Sequence, residues 1–397
     1  MSTVAVPGFV QEVRAYGRFD IEGCLNCDSC TVICALSNGH TSFPRKSIQQ
    51  VLIGLKDSVV HSLEPWLCHD CGDCATSCPR QTEPRESMMT LRRYLVSRYD
   101  VTGIASKIQR SGAWEITAMA FVAALVFALV FVYHLFYVEL PMGEFVSTPL
   151  GLEHMFPTIT YFSYVVFLLP LTVMLVNGFR MHRRTMVGAG DPKISLRFYL
   201  LELKTLILHL FFHRNLSRCS AENHNRRWIK HWLLGTACTM MCVIPFFFLA
   251  WFQTDALYPI YDPQRWLGYI AAAVMIYVPL DIVISRIRKQ KQVHKFSERG
   301  DLIFPSMLLL VALSGIAVHI FRYAEWSMSC HYAYAVHLAI TVALLLIELP
   351  FGKWSHVVYR PLALFFQSVK ERAREVAEVA LEDGIAGERI LGGTKPS

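Results

Sequence analysis

Eight of the twelve cysteines in this chain fall in two runs of identical spacing. The first is Cys24, Cys27, Cys30 and Cys34; the second is Cys68, Cys71, Cys74 and Cys78, followed directly by Pro79. The spacing C-x2-C-x2-C-x3-C suits thiolates that wrap cubane [4Fe–4S] clusters, with each fourth cysteine crossing to the other cluster. The expected ligand sets are therefore Cys24, Cys27, Cys30 and Cys78 for one cluster, and Cys68, Cys71, Cys74 and Cys34 for the other. Structural zinc needs only four cysteines and favours paired C-x2-C knuckles. Two complete runs, the second closed by proline, favour one-electron iron–sulfur chemistry. Cys219, Cys238, Cys242 and Cys330 are scattered and read as small hydrophobes.

Histidines are the second group with chemistry to offer. Inside apolar helices an ionisable residue is costly and marks function by default. Two histidines at matched depth on different helices can hold a haem iron from both faces, and axial ligands tune its potential. His231 with His356 forms an inner pair, and His337 with His319 an outer pair. His337 and His356 are expected on one helix, 19 residues or about 28 Å of axial rise apart, which puts one near each face of a bilayer. Met241, ten residues after His231, is a weaker substitute on the outer side. His134 and His154 read as interfacial, His209 and His213 as surface residues. Carboxylates suited to proton handling beside a quinone are Glu153 with His154, joined by Glu139 and Glu144, on the outer side. On the inner side they are Asp281 and Glu348.

These residues need a membrane to position them. The 397-residue chain is 53% hydrophobic with a mean hydropathy of +0.35. Six runs are long enough to span as helices: Trp114–Val138, Met155–Phe179, Trp228–Phe252, Trp266–Ile287, Leu302–Tyr323 and His331–Phe351. The expected division is a cluster domain over residues 1–110, a membrane domain over 111–365 and a charged tail over 366–397. The formal charge of +7 is unevenly spread: Arg180–Lys230 holds eleven Lys and Arg and Arg286–Arg299 holds six, whereas the three opposite loops together hold Arg265 and Arg322. By the positive-inside rule the basic loops are cytoplasmic, and both termini and the cysteine runs with them. The first residues show no basic, apolar export signal, and clustered thiols suit a reducing compartment. Leu196–Phe212 reads as an interfacial amphipathic helix, because Arg197, Glu202 and Lys204 interrupt its apolar face.

The chain resembles known proteins in both halves. Phe43–Lys46 (FPRK), Gly54–Asp57 (GLKD) and Trp66–Arg80 (WLCHDCGDCATSCPR) look like the small iron–sulfur subunit of heterodisulfide reductase. His337–Ala363 looks like the last span of the nitrate-reductase gamma type of cytochrome b, in which paired histidines bind two b haems. A fusion of the two is similar to the membrane subunit of the quinone-interacting membrane-bound oxidoreductases of sulfate reducers. The resemblance implies an all-α membrane protein: a six-helix transmembrane cytochrome b bundle with an N-terminal cytoplasmic, helical, ferredoxin-like domain for two [4Fe–4S] clusters. It implies haem b on His231, His356, His319 and His337, menaquinone as lipid carrier, and flavin- and iron–sulfur-containing partners related to heterodisulfide reductase. Adenylylsulfate reductase is then the terminal acceptor. Two positions depart from the pattern: Ala35 follows Cys34 in place of proline, and Met241 stands where a second histidine is expected.

The expected function is electron transfer between menaquinol or menaquinone, b haems and the two clusters, as one subunit of a quinone-dependent oxidoreductase complex. The alternatives are a haem-containing anchor of a heterodisulfide-reductase-like complex and a haem-free iron–sulfur anchor. The second cysteine-rich module that reduces disulfides is missing from the sequence, which argues against disulfide chemistry by this chain alone.

Overall fold

The structure is a computed structural model. It describes residues 4–37, 42–137, 152–186, 194–213, 224–248, 251, 257–289, 294–297 and 300–391. Side chains at 134, 152–160, 224–225 and 380–391 also lie outside the described set. Among the described residues every regular element is helical.

Short helices build the cysteine-rich part: α1 (Phe9–Arg14), α2 (Ser29–Val32), α3 (Arg45–Leu52), α4 (Lys56–Val60), α5 (Glu64–Leu67) and α6 (Asp73–Thr76). They pack around α7 (Pro84–Tyr99), which begins on Pro84, where a missing N–H costs nothing. α8 (Ile104–Arg110) then leads into the apolar helices. These are α9 (Gly112–Tyr137), α10 (Leu152–Met186), the amphipathic α11 (Leu196–Phe211), α12 (His224–Phe247), α13 (Pro263–Ile287), α14 (Gly300–Tyr323) and α15 (Ser327–Ala343). Asp262 caps α13 by accepting from the Gln264 N–H at 2.9 Å, and Pro263 fills the first turn.

Six helices are long and apolar enough to cross a membrane: Gly112–Tyr133, Tyr161–Met186, Arg226–Phe247, Pro263–Ile287, Gly300–Tyr323 and Ser327–Phe351. All six overlap the spans read from the sequence. Many of their large apolar side chains face outward, including Phe121, Leu125, Leu129, Leu175, Phe179 and Ile270. A surface of that kind belongs against lipid or a partner.

The last span corrects one expectation. His337 and His356 do not share a helix. α15 widens into a π-turn at Leu344–Glu348, closes with Leu349–Phe351 and stops at Gly352, whose backbone is extended (φ −94°, ψ −155°). A 3₁₀ turn, Lys353–Ser355, starts a new helix, α16 (His356–Leu391). The 28 Å of continuous helical rise is therefore not realised. α16 also crosses the expected boundary at 365/366 without interruption, packing on α11, α10 and α5.

One core runs through the junction of the two parts. Phe9, Val13, Leu91 and Tyr94 share it with Met181, Ala343, Phe351 and Ala363. Within it lies an aromatic triad of Trp66, Tyr99 and Tyr359: the rings of Trp66 and Tyr359 lie 5.4 Å apart, those of Tyr99 and Tyr359 5.8 Å apart. Tyr359 belongs to α16, so the cysteine-rich part is docked through apolar packing. Asp301 adds an ionic tie, pairing with Arg93 of α7 (3.2 Å), Arg286 of α13 (3.3 Å) and Lys353.

Candidate electron-transfer site at the domain junction

The doubled cysteine motif is also a doubled backbone. Asn26 and Asp70, each two residues after the first cysteine of a run, have left-handed φ values of 57°. Asp28 (70°) and Gly72 (94°), each four residues after it, do the same. Asn, Asp and Gly are the residues that tolerate this conformation. α2 and α6 then start at the same register, carry Cys30 and Cys74, and pack on each other. The Asp70 N–H points at Cys68 Sγ, 3.4 Å away.

A cavity of about 30 Å³ is lined by Cys24, Cys27, Cys30 and Cys78, a set that takes its fourth member from the second run. Burial pushes the Cys30 thiol up, as do its neighbours Cys24 and Cys78. Burial, with Cys68 and Cys71 alongside, pushes Cys34 up to about 11. Cys74 is raised by burial and by Cys68, Cys71 and Cys34. The fourth cysteine of each run therefore stands among the first three of the other. Such crowded thiols become thiolates only when a cationic metal centre compensates them. Cys27 is different: it is exposed, and the Ser29 hydroxyl lowers it.

The loop between Cys68 and Cys71 meets the apolar bundle. Arg227 of α12 donates to the main-chain oxygen of Asp70 at 2.7 Å and to its carboxylate at 3.3 Å. Arg360 of α16 reaches His69 Nδ1 at 3.5 Å. Burial would raise Asp70, but Arg85 and Arg227 hold its carboxyl well below the usual range. Burial, then Arg360 and Arg92, push His69 down to about 3, so the ring is neutral at neutral pH, and its Nδ1 accepts where the Arg360 guanidinium donates. Arg92 fastens the same loop from the other side, donating to the main-chain oxygens of Pro65 (2.8 Å), Trp66 (3.2 Å) and Cys68.

Arg227 and Arg360 each stand four residues, one helical turn, from a histidine singled out in the sequence. The rings of those histidines, His231 and His356, have centroids 6.2 Å apart. Metal–imidazole bonds of about 2 Å and about 1 Å more from each ring nitrogen to its centre put two axial imidazoles about 6 Å apart. His356 Nδ1 is directed at the Lys353 carbonyl, which leaves Nε2 for a metal, and His231 Nδ1 is buried without a hydrogen-bond partner among the described residues. The inner pair thus fits a bis-histidine centre by spacing.

The sequence pattern puts His213 at the surface, and the structure corrects this. A left-handed residue (φ 49°) at the end of α11 turns its ring inward to 4.6 Å from His231. The signal was Gly235, one turn after His231, where a Cβ would stand 3.1 Å from His213 Cε1.

The outer histidines are placed differently. His337 Nδ1 contacts the Ser314 hydroxyl at 2.9 Å, its ring lying against Gly315, where a Cβ would be 3.2 Å from Cε1. His319 Nε2 meets the Tyr269 hydroxyl at 3.1 Å, and its ring packs on Tyr323 at 4.5 Å. Met241 is partly buried in the bundle core. Asp281 is ion-paired with Lys230 at 2.8 Å, whereas Glu348 is fully buried. The side chains of His134, Glu139, Glu144, Glu153 and His154 lie outside the described residues.

Comparison with known proteins fits this two-part structure. The family model described as "Citrate utilization protein B" matches residues 163–378, more than half of the chain. The chain belongs to the citrate utilization protein B family. A model described as "4Fe-4S dicluster domain" matches residues 20–82, so the N-terminal part is a two-[4Fe–4S] domain. Citrate utilization protein B of Escherichia coli is 24% identical over 343 residues, covering 79% of this chain and 84% of that protein. The cluster domain alone resembles an iron–sulfur subunit of heterodisulfide reductases. A heterodisulfide reductase subunit-like protein of Archaeoglobus profundus is 33% identical over 100 residues, 25% of this chain and 53% of that one. A CoB–CoM heterodisulfide reductase iron–sulfur subunit of Methanocaldococcus jannaschii is 34% identical over 92 residues, covering 21% and 49%. The chain spans about half the length of these heterodisulfide reductase relatives. No solved structure matches. These likenesses support an electron-transfer role for the cluster domain.

Proposed function

We propose that this member of the family is the membrane subunit that links a soluble redox partner to the quinone pool. Cys24, Cys27, Cys30 and Cys78 would hold one cluster, Cys68, Cys71, Cys74 and Cys34 the other, and His231 with His356 a haem b. Bound there, these groups supply a series of one-electron carriers between a flavin-containing partner and menaquinone. The protein's part is positional. Arg227 and Arg360 fix the loop Cys68–Cys71 over the two helices that carry His231 and His356, so that centres held by either set stand at one fixed separation. His337, with His319 or Met241, would serve a second, outer haem. Glu348, Asp281, Glu153 and His154 are the candidates for proton exchange with the quinone; the ion pair to Lys230 weighs against Asp281.

The observation that carries this reading is the arginine-to-histidine register on α12 and α16. In the corresponding topology residues 1–110, the basic loops and the tail 366–397 face the cytoplasm, with 111–365 in the membrane. Purified chain, reduced anaerobically, should show a b-type alpha band and two interacting [4Fe–4S] signals. A preparation with full clusters and no haem would reduce the protein to an iron–sulfur anchor.

The partner has two forms. Likeness of the cluster domain to the heterodisulfide reductase iron–sulfur subunit favours flavin subunits of that kind. In its narrowest version these are the partners of the sulfate-reducer complex, with adenylylsulfate reductase as acceptor. The likeness to citrate utilization protein B runs through both halves and favours a soluble partner from citrate utilization. Proteins that co-purify decide between them.

A further inference from the structure

A second buried site lies away from the histidines. Glu348, with no exposed surface, and Glu115 of α9, 4% exposed, bring their carboxyl groups into hydrogen-bonding contact. The Lys353 N–H donates to Glu348 Oε2 at 3.0 Å, while Glu348 Oε1 is buried with no other hydrogen-bond donor among the described residues. Two carboxylates in contact and out of water repel each other when both are ionised; one proton between them removes the repulsion and supplies the missing donor.

The backbone is shaped around this pair. The π-turn Leu344–Glu348 inserts one extra residue and ends on Glu348, a distortion found often at functional positions. At Gly352 a Cβ would stand 2.3 Å from Glu348 Oε2, and at Gly300 one would stand 3.4 Å from Glu115 Oε2. Only glycine fits the first position.

Glu115 also lines a cavity of about 190 Å³, bounded by Tyr16, Gly17, Arg93, Arg110 and Lys353. Arg110 is exposed, so the cavity leads from the buried pair to the surface beside the cluster domain. The volume holds several waters at about 30 Å³ each. Its cations share one carboxylate: Arg93 and Lys353 pair with Asp301, as does Arg286 behind them, and the positive charge left over offsets the one negative charge that a singly protonated pair keeps.

We propose that Glu115 and Glu348 share one proton and exchange it with the solvent on the cluster-domain side through this cavity, forming a proton port of the membrane bundle. The ligand is a proton carried by water. The port's purpose rests on the quinone reading above: oxidising a quinol releases two protons with two electrons, and the pair passes one proton at a time to the cavity. The port itself does not depend on that reading.

The test uses the full chain in lipid nanodiscs, first with no redox partner. Infrared spectroscopy at neutral pH should show the C=O stretch of a protonated carboxylic acid that shifts in D2O within minutes. The band should disappear in the Glu115→Gln/Glu348→Gln double variant. No protonated-carboxyl band in the unsubstituted protein, or a band that fails to shift in D2O, overturns the proposal without any variant having to fold. A band that survives the double substitution, with cluster absorbance intact, also overturns it. Quinol oxidation should then fall by about 10²-fold in Glu348→Gln, as for loss of a proton-transfer group. An exchanging band in a protein that never oxidises quinol supports the port and sinks the quinone reading alone.

Discussion

Arg227 donates to the main-chain oxygen of Asp70 at 2.7 Å from a position one helical turn before His231. A loop between two cluster cysteines is thereby tied to a helix carrying a haem-ligand candidate. Arg360 and His69 repeat the arrangement from α16. Arg227 is 41% exposed, so its pair is worth at most about 1 kcal/mol. Arg227→Met should therefore leave cluster content and unfolding temperature nearly unchanged while slowing intramolecular electron transfer several-fold. Stopped-flow absorbance after rapid reduction of the clusters measures the rate. The Arg227→Met/Arg360→Met double variant should be slower than either single one, and an unchanged rate would detach this register from function.

Arg85 holds the same Asp70 from inside the cluster domain, and its side chain is only 5% exposed. It also pairs with Glu86, itself buried. Removing one partner of a buried pair leaves unpaired charge, at a cost of about 3 kcal/mol. Arg85→Met is thus expected to lower the thermal midpoint of cluster loss by several degrees, far more than Arg227→Met. The visible absorbance of the clusters during a temperature ramp reports it.

Cys34 stands among Cys68, Cys71 and Cys74, and Cys78 closes the cavity of Cys24, Cys27 and Cys30. If each fourth cysteine serves the opposite cluster, Cys34→Ser should lower the iron bound through the second run before that bound through its own. Low-temperature paramagnetic resonance of the reduced protein separates the two signals. Selective loss of the first-run cluster would mean that each run binds on its own.

The cysteine runs and the six apolar helices were legible because each is a local pattern: fixed spacing, or about 20 apolar residues in a row. Matched depth in that topology also anticipated that His231 and His356 lie close together. What the sequence concealed depends on contacts between distant segments. His213 reaches His231 only because its own left-handed φ turns the chain at the end of α11. Glu115 lies at the start of the first span, three residues into α9, yet it meets Glu348 from the last. The break at Gly352 was hidden inside a continuous apolar pattern; the crowding of Gly352 by the Glu348 carboxylate marks it. Tyr359, which docks the cluster domain with Trp66, reads as part of a cytoplasmic flank.

That docking is testable. Trp66 is 1% exposed and Tyr359 fully buried, so truncating either to alanine should cost about 3–5 kcal/mol. Tyr359→Ala leaves the cysteine loops untouched and should loosen the junction first. Limited proteolysis ought then to cut between α7 and α9 faster than in the unsubstituted protein, with clusters still present.

The inner and outer histidines predict separate losses. His231 and His356 have ring centres 6.2 Å apart, matching two axial imidazoles. His337 is bonded to Ser314 and His319 to Tyr269, so an outer haem would have to draw His319 away from its tyrosine. His356→Ala should therefore abolish the inner haem, and His337→Ala should remove any outer one while leaving the inner spectrum intact. Haem per chain, measured as the pyridine complex, should drop by half in each variant if two haems are bound. If only the inner centre exists, His356→Ala takes all the haem and His337→Ala none. Retention of full haem by His356→Ala would move the ligand to His213, already 4.6 Å from His231, and a His213→Ala/His356→Ala double variant would then lose it.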